Sequence, residues 1–152
     1  EMHLFKPLDE HKLFQPGKYS KNFSVKLRGS KVRFGNIICF DLRFPELIRK
    51  RAIEGMDVLV VQAWWPKERD HIWKTLLAAR AIENQVYVVG VNSKNDVHCG
   101  SSYVFDPYGN QVDFSMKKKE FEICQLDLSK IKQVKKIYDN IKSAKMLNEF
   151  YK

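Results

Sequence analysis

The chain has 152 residues, of which 44% are hydrophobic and 12% are aromatic. A chain of this size and composition buries about 68–70% of the surface that it exposes when unfolded, which excludes intrinsic disorder and predicts one compact domain. The 27 basic and 18 acidic residues give a net charge of +9. The longest apolar run is far shorter than the ~20 residues that a membrane span needs, so the sequence predicts a soluble protein without a membrane partner.

Cysteine usage bears on the compartment and on metal binding. The three cysteines, Cys39, Cys99 and Cys124, are an odd number without paired spacing, and no secretory signal opens the chain, which together predict a reducing cytoplasm. The pair His98-Cys99 could be a catalytic pair or part of a metal site. The other Cys and His residues lack the spacing that zinc prefers, which favours a loop without special chemistry and no metal.

The first 31 residues contain turn formers among short apolar pieces, which predicts loops with one or two edge strands and no helix. From Val32 a mostly apolar strand runs to Cys39. Pro45 suits the first turn of the helix that follows, and Gly55 ends that helix. The pattern therefore predicts a strand, a turn and a helix in succession.

The elements downstream alternate between strand and helix. Val58–Val61 is apolar at consecutive positions, which is typical of a strand covered on both faces and predicts a buried strand. Residues 71–84 carry one apolar stripe at helical spacing, which predicts a helix. The run Asp106-Pro107-Tyr108-Gly109 is a turn that predicts a hairpin. The remaining predicted strands cover residues 86–91, 103–105 and 121–128. This alternation predicts an α/β sheet with helices layered on it.

Residues 129–152 are predicted to form a Lys-rich helix and tail. Ser129 is a suitable N-terminal cap. One side of the helix carries the apolar residues Ile131, Val134, Ile137, Tyr138 and Ile141. The lysines, with Lys117-Lys118-Lys119, could bind nucleic acid. Lysines spread around a helix without Arg clusters or interleaved aromatic residues are more typical of a solvated surface, so no nucleic-acid partner is predicted.

Cys39 is the candidate nucleophile. It stands where an apolar strand ends and a turn begins, a position that can hold a nucleophile exposed on a rigid backbone. A lone free Cys at such a position is also a common residue of a buried core. The position alone therefore leaves both interpretations open, and the neighbouring residues have to decide between them.

The segment 37–47 resembles the nucleophile segment of the nitrilase-like carbon-nitrogen hydrolases, whose pattern is I-C-Y-D-x-R-F-P-E-L. Further blocks resemble motifs of that family in the same order: Ala63-Trp64-Trp65-Pro66, His71 with Trp73, residues 79–87, Gly100-Ser101-Ser102 and Asp106-Pro107-Tyr108-Gly109. The resemblance runs from Met2 to about Leu128. It is strongest to the omega-amidases, which hydrolyse the terminal amide of small dicarboxylic acid monoamides.

The resemblance implies a four-layer α-β-β-α sandwich that pairs into dimers and needs no cofactor. The chain opens Glu1-Met2-His3 and enters an apolar segment at once. We therefore expect residues 1–152 to be the C-terminal part of one such domain, without its N-terminal half.

The resemblance also implies the catalytic groups. Cys39 matches the nucleophile, and the backbone N–H of Phe40 matches the donor to the oxyanion. Glu10 matches a second Glu that orders the site. The general base of the family, a Glu, lies upstream of the residues in this sequence.

Three residues are candidates for binding the substrate. Arg43 could bind a substrate carboxylate with two hydrogen bonds, or it could pair structurally with Asp41 or Glu46. Trp64 and Trp65 could line an amide pocket, or they could be core aromatic residues beneath a loop. The sequence leaves these alternatives open.

One departure from the family pattern bears on activity. The family has a Lys in the motif K-x-H-L-F, where this chain has Glu1. A carboxylate there would raise the pKa of Cys39 and would oppose an oxyanion. Two hypotheses follow. The protein is an amidase that releases ammonia from small carboxylic acid amides through a cysteine thioester, with water as second substrate, or it is a catalytically silent truncated homologue or subunit that only binds.

Overall fold

The structure is a computed structural model that describes residues 1–18, 21–27, 29–93, 100–118 and 121–145. The predicted loop at His98 and Cys99 and the end of the Lys-rich tail after Lys145 lie outside the described residues. Within the described ranges, no helix is both long enough and apolar enough to cross a membrane.

Five strands form the main sheet, in their order along the chain: β1 (Phe23–Leu27), β2 (Ser30–Ile38), β3 (Val58–Ala63), β4 (Tyr87–Asn92) and β5 (Tyr103–Phe105). The three central strands are parallel, and the outer strands run antiparallel to their neighbours. Parallel neighbours need a long crossover, and each crossover here contains a helix. The short strands β6 (Met116–Lys117) and β7 (Glu122–Ile123) pair separately.

Five α-helices are described: α1 (Glu10–Leu13), α2 (Pro45–Ile53), α3 (Asp70–Asn84), α4 (Ser129–Ile137) and α5 (Asn140–Lys145). Short 3-10 helices cover Lys6–Leu8, Cys39–Arg43 and Lys67–Arg69. Proline lacks an N–H that the first helical turn does not use, which suits Pro45 to the start of α2. Gly55 follows α2 with a φ of 91°, a conformation that glycine adopts without strain.

One face of the sheet is covered by α2 and α3, with α5 packed against both helices. The apolar stripe of α3 supplies Trp73, Leu77 and Ala81, which are fully buried in one cluster with Leu59 and Val88 of the central strands. On this face, the described helices thus form one layer packed on the sheet of an α/β fold.

The opposite face of the sheet is covered only in part. Val58 and Tyr87 are buried there with Ile131 of α4, and the Tyr87 hydroxyl donates to the Asp127 carbonyl at 2.8 Å. Towards the carboxyl ends of the strands the face opens, and the side chains of Ile38 and Val91 are 40% and 47% exposed. This face therefore keeps apolar surface outside the core.

Most of the predicted elements are confirmed. The strands after Val32 and at Val58, the helix over residues 71–84 and the strands near residues 86–91 and 103–105 form as expected. The predicted hairpin is present in a short form, with Phe105 bridging to Gln111 after the turn. The α/β architecture is confirmed with these elements.

Two predictions for irregular segments are wrong. The first 31 residues contain a helical turn, α1, and the 3-10 helix Lys6–Leu8 before it. Turn formers that suggested loops also suit the first turn of a helix, as Pro7 does in Lys6–Leu8. The predicted strand over residues 121–128 shrinks to Glu122–Ile123, because its partner strand offers only the two residues Met116–Lys117.

The prediction for the Lys-rich helix is partly wrong. Ser129 is its first residue, and its N–H donates to the Asp127 carboxylate at 3.0 Å, so Asp127 provides the capping bond. The helix stops at Ile137, which is 70% exposed and not on the buried stripe. The buried side chain of Gln85 stabilises the break between the two helices. It donates to the Tyr138 carbonyl at 2.7 Å and accepts the backbone N–H of Asn140 at 2.9 Å.

Arg80 ties α3 to the turn that begins at Cys39. Its Nε and Nη2 donate to the Leu42 carbonyl at 3.1 and 2.9 Å in a buried contact. Arg80→Met would leave that carbonyl without a donor, which is expected to lower the free energy of unfolding by about 1–3 kcal/mol. Urea denaturation measures the loss. Arg33→Met, at an exposed position, is the matched control and should change stability by less than about 0.5 kcal/mol. Equal losses in the two variants would contradict this role.

Candidate active site

The candidate site lies at the carboxyl edge of the three parallel strands. Cys39 follows β2 directly, Trp64 and Trp65 follow β3, and Asn92 is the last residue of β4. Parallel strands bring their carboxyl ends to one edge of a sheet, where ligands of α/β proteins commonly bind. The topology therefore brings these residues together from distant parts of the sequence.

Cys39 is held in an uncommon backbone conformation. Its φ is 44°, in the left-handed region that residues other than glycine rarely adopt. It is the first residue of a 3-10 helix and is half-buried. A sharp turn between strand and helix presents a side chain at the sheet edge while the backbone stays fixed.

Asp41 fixes the start of the chain against this turn. Its carboxylate is buried and accepts the backbone N–H groups of Met2, at 3.1 Å, and His3, at 2.9 Å. Nδ1 of His3 also lies 2.8 Å from Asp41 Oδ1, and the His3 ring stacks on Phe44 at 3.6 Å. Sequence reasoning considered Asp41 only as a partner for Arg43 and missed this role. An Asp three residues after the end of an apolar strand was the available signal.

The hydrogen bonds from Met2 and His3 to Asp41, the clamp, bring Glu1 next to Cys39. Glu1 Oε1 accepts the backbone N–H of Phe40 at 3.1 Å, and Glu10 accepts the backbone N–H of Phe5. Burial raises the pKa of Glu1 to about 7, helped by the charges of Glu10 and Asp41 and by a hydrogen bond with the Glu10 carboxyl. The bond from Phe40 acts in the opposite direction. Glu1 and Glu10, the acidic pair, thus lie close together in the site.

The same charges act on the thiol. Burial is the largest cause of a raised pKa at Cys39, and Glu1, Glu10 and Asp41 raise it further. A backbone hydrogen bond from Trp64 lowers it in part. The direction of the shift agrees with the effect expected from a carboxylate at position 1.

A cavity of about 800 Å³ opens in front of Cys39. The candidate site residues all line it: Glu10, Cys39, Phe40, Arg43, Trp64 and Trp65. The remaining wall is largely apolar, with Phe5, Leu8, Ile38 and Pro66. Within the described residues, no three His, Cys, Asp or Glu side chains are grouped so that they could hold a metal ion.

Trp65 forms another part of the cavity wall. Its ring is almost fully buried against Trp73, with the ring centroids 5.4 Å apart, so it is a core residue as well as a lining residue. Arg43 lies over the ring at 5.1 Å, and the indole N–H donates to the Arg69 carbonyl at 3.1 Å. Arg43 and Arg69, the basic pair, both line the cavity. In the described part of the chain, no ion pair joins Arg43 to an acid.

Asn92 positions Trp65. Its side-chain oxygen accepts the Trp65 N–H at 2.8 Å, and its amide donates to the Trp65 carbonyl at 3.1 Å. Sequence reasoning missed Asn92, although a polar amide at the end of an otherwise apolar strand was a visible signal. Trp64 has no such burial and is 54% exposed at the cavity mouth.

Comparison with known proteins identifies the family. The model of the carbon-nitrogen hydrolases matches residues 1–136. The chain belongs to the carbon-nitrogen hydrolase family. It is 33% identical over 147 residues to the 2-oxoglutaramate amidase of Bacillus subtilis, covering 92% of this chain and 55% of that protein. It is 38% identical over 115 residues to omega-amidase YafV of Escherichia coli K12, covering 72% of this chain and 43% of that protein.

Solved structures of the family share the fold. The carbon-nitrogen hydrolase XC1258 of Xanthomonas campestris, with an arsenic adduct in its active site, superposes with a TM-score of 0.77 at 28% identity, covering 94% of this chain and 57% of that chain. An amidase of Nesterenkonia in complex with butyramide has a TM-score of 0.63 at 26% identity, covering 74% and 43%. The chain thus spans about half the length of the relatives that it matches.

The raised pKa of Glu1 predicts a pH dependence of stability. Between its usual value of 4.5 and about 7, the folded protein holds a proton that the unfolded chain releases. This contribution to stability is complete below the lower value and is lost as the pH rises through the higher one. Glu1→Gln removes the titration, so its melting temperature should fall less between about pH 5 and about pH 8 than that of the unmodified protein.

Thermal denaturation followed by circular dichroism at both pH values measures the difference. Glu122→Gln, an exposed acid outside the cavity, is the matched control and should retain the decrease of the unmodified protein. An equal decrease in the Glu1→Gln variant and the unmodified protein would contradict the raised pKa.

Proposed function

We propose that the protein is an amidase that releases ammonia from small carboxylic acid amides through a thioester on Cys39. The observation that carries the proposal is the placement of Cys39, on a left-handed turn at the sheet edge, facing a cavity large enough for a small molecule. Family membership supports the same reaction class. The proposal also treats residues 1–152 as the C-terminal part of one hydrolase domain.

The reaction balances with the amide and water alone. The Cys39 sulfur attacks the amide carbonyl carbon, the C–N bond breaks, and the nitrogen leaves as ammonia with the thiol proton. Water then attacks the thioester, the C–S bond breaks, and a carboxylic acid and the free thiol are formed. The Phe40 N–H is the donor for the oxyanion of both steps. Glu10 orders the site, and the resemblance assigns the general base to a Glu outside this sequence.

The charges along the cavity support a substrate class. The acidic pair acts on the thiol, Arg43 lies over the Trp65 ring, and Arg69 also lines the cavity. A substrate with a terminal carboxylate would place that group at Arg43 and Arg69 and its amide at Cys39. The relatives named for 2-oxoglutaramate and omega-amides support this class. We propose monoamides of small dicarboxylic acids as substrates.

A second candidate function is a catalytically silent homologue that binds amides without hydrolysing them. Glu1 is the observation that favours it, because the family has a Lys there and a negative group raises the pKa of Cys39.

Four features stay predictions: the dimer, the cytoplasmic location, the absence of a cofactor and the absence of a nucleic-acid partner.

Replacing the nucleophile tests the reaction. Cys39→Ala is expected to abolish ammonia release from a four-carbon dicarboxylic acid monoamide, because no thioester can form. Mass spectrometry of the unmodified protein, quenched during turnover, should show an acyl adduct on the peptide that contains Cys39. Cys124→Ala, at the other free thiol described, is the matched control and should retain activity, since Cys124 does not line the cavity. Amide binding without ammonia or adduct would favour the silent homologue.

Arg43 should control substrate choice. Arg43→Met is expected to reduce kcat/KM for the four-carbon monoamide by about 10- to 100-fold, because a charge-assisted hydrogen bond to the substrate carboxylate is lost. Butyramide, the neutral analogue of similar size, should lose little. Steady-state ammonia release with both amides measures the selectivity. An equal loss for the two amides would show that Arg43 supports the cavity rather than binds a carboxylate.

A further inference from the structure

The donor needed for the oxyanion is already engaged in this structure. The Phe40 N–H donates to Glu1 Oε1 at 3.1 Å, with the cavity in front of it. A carbonyl oxygen that is attacked by Cys39 would develop negative charge and would need that same N–H. The carboxylate oxygen of Glu1 thus takes the place that a substrate oxygen would take.

We propose that Glu1 is a built-in occupant of the oxyanion position, so that the site accepts a substrate carbonyl only when the Glu1 side chain has left Phe40. The proposal rests on the proposed function, since it assigns a regulator to the same thiol. It differs from a pure charge effect, because it concerns which oxygen holds the Phe40 N–H.

The backbone around Glu1 is fixed, so the side chain is the part that can move. The Glu1 carbonyl accepts the Gly17 N–H at 2.8 Å, and the next two residues donate their N–H groups to Asp41. None of these bonds involves the Glu1 carboxyl. Rotation of the side chain therefore releases Phe40 without breaking the clamp on the segment.

The charges around the Glu1 carboxyl favour its departure. Glu10 and Asp41 are acidic, and a thiolate at Cys39 would add a third negative group. The Phe40 N–H stabilises the ionised Glu1 carboxyl, whereas the hydrogen bond with Glu10 favours its protonated form. The hydrogen bond from Phe40, opposed by this repulsion, can be taken over by a substrate oxygen, so the Glu1 side chain slows the reaction without blocking the site.

Two thiol reagents test the proposal in the full protein, one that reacts through an oxyanion and one that does not. p-Nitrophenyl acetate acylates a thiol: the sulfur attacks the carbonyl carbon, the carbonyl electron pair moves to oxygen, and collapse of this oxyanion expels p-nitrophenolate. Iodoacetamide alkylates by displacing iodide at a saturated carbon and forms no oxyanion. The ratio of the two rates cancels the thiolate population and reports access to the Phe40 N–H.

The ratio of acylation to alkylation is compared in the unmodified protein, Glu1→Gln and Glu1→Ala. Gln retains a side-chain oxygen that can accept the Phe40 N–H, whereas Ala has no acceptor. We expect the ratio to rise at least tenfold in Glu1→Ala and clearly less in Glu1→Gln. The amide proton resonance of Phe40 should shift upfield in Glu1→Ala, which reports loss of the bond independently of activity.

The outcomes separate this inference from the proposed function. Equal ratios of acylation to alkylation in all three proteins, or equal increases of this ratio in Glu1→Gln and Glu1→Ala, would overturn the proposal that Glu1 occupies the oxyanion position. If Cys39-dependent ammonia release is found together with equal ratios, the inference alone fails. If iodoacetamide labels Cys39 but Glu1→Ala shows no acylation there, both fail. An unshifted Phe40 amide proton resonance in Glu1→Ala would also overturn this proposal, whatever the two rates are.

Discussion

The arrangement of the cavity depends on the buried carboxylate of Asp41. A buried carboxylate is tolerated when charge-assisted hydrogen bonds replace its hydration, and here backbone donors from Met2, His3 and Ile38 do so. Asp41 and Met2 are 39 positions apart in the sequence. Through these bonds the segment that carries Glu1 is tied to the turn that carries Cys39.

The clamp has an electrostatic consequence for the thiol. A reactive cysteine usually has positive neighbours that stabilise its thiolate, but Glu1, Glu10 and Asp41 surround Cys39 with negative charge. Of the two arginines that line the cavity, Arg43 lies over the Trp65 ring. The raised pKa of Cys39 favours the protonated thiol, which is its less reactive form.

Local patterns predicted the elements but not the long-range bonds. Helical spacing was enough for α3, and an apolar strand followed by Pro45 was enough to place Cys39 at a strand end. The break between α4 and α5 depends on Gln85, more than 50 positions away, and such contacts leave no periodic trace. The resemblance to the motif K-x-H-L-F associated Glu1 with the candidate site, whereas its bond to the Phe40 N–H could be found only from coordinates.

Fold and chemistry are separable in this protein. Arg80 anchors the turn after Cys39, Asn92 anchors Trp65, and Asp41 anchors the first residues through their backbone. The Glu1 side chain takes part in none of these contacts and bonds instead to the Phe40 N–H. Membership of the family therefore fixes the architecture, while the activity depends on a few side chains that can change without altering it.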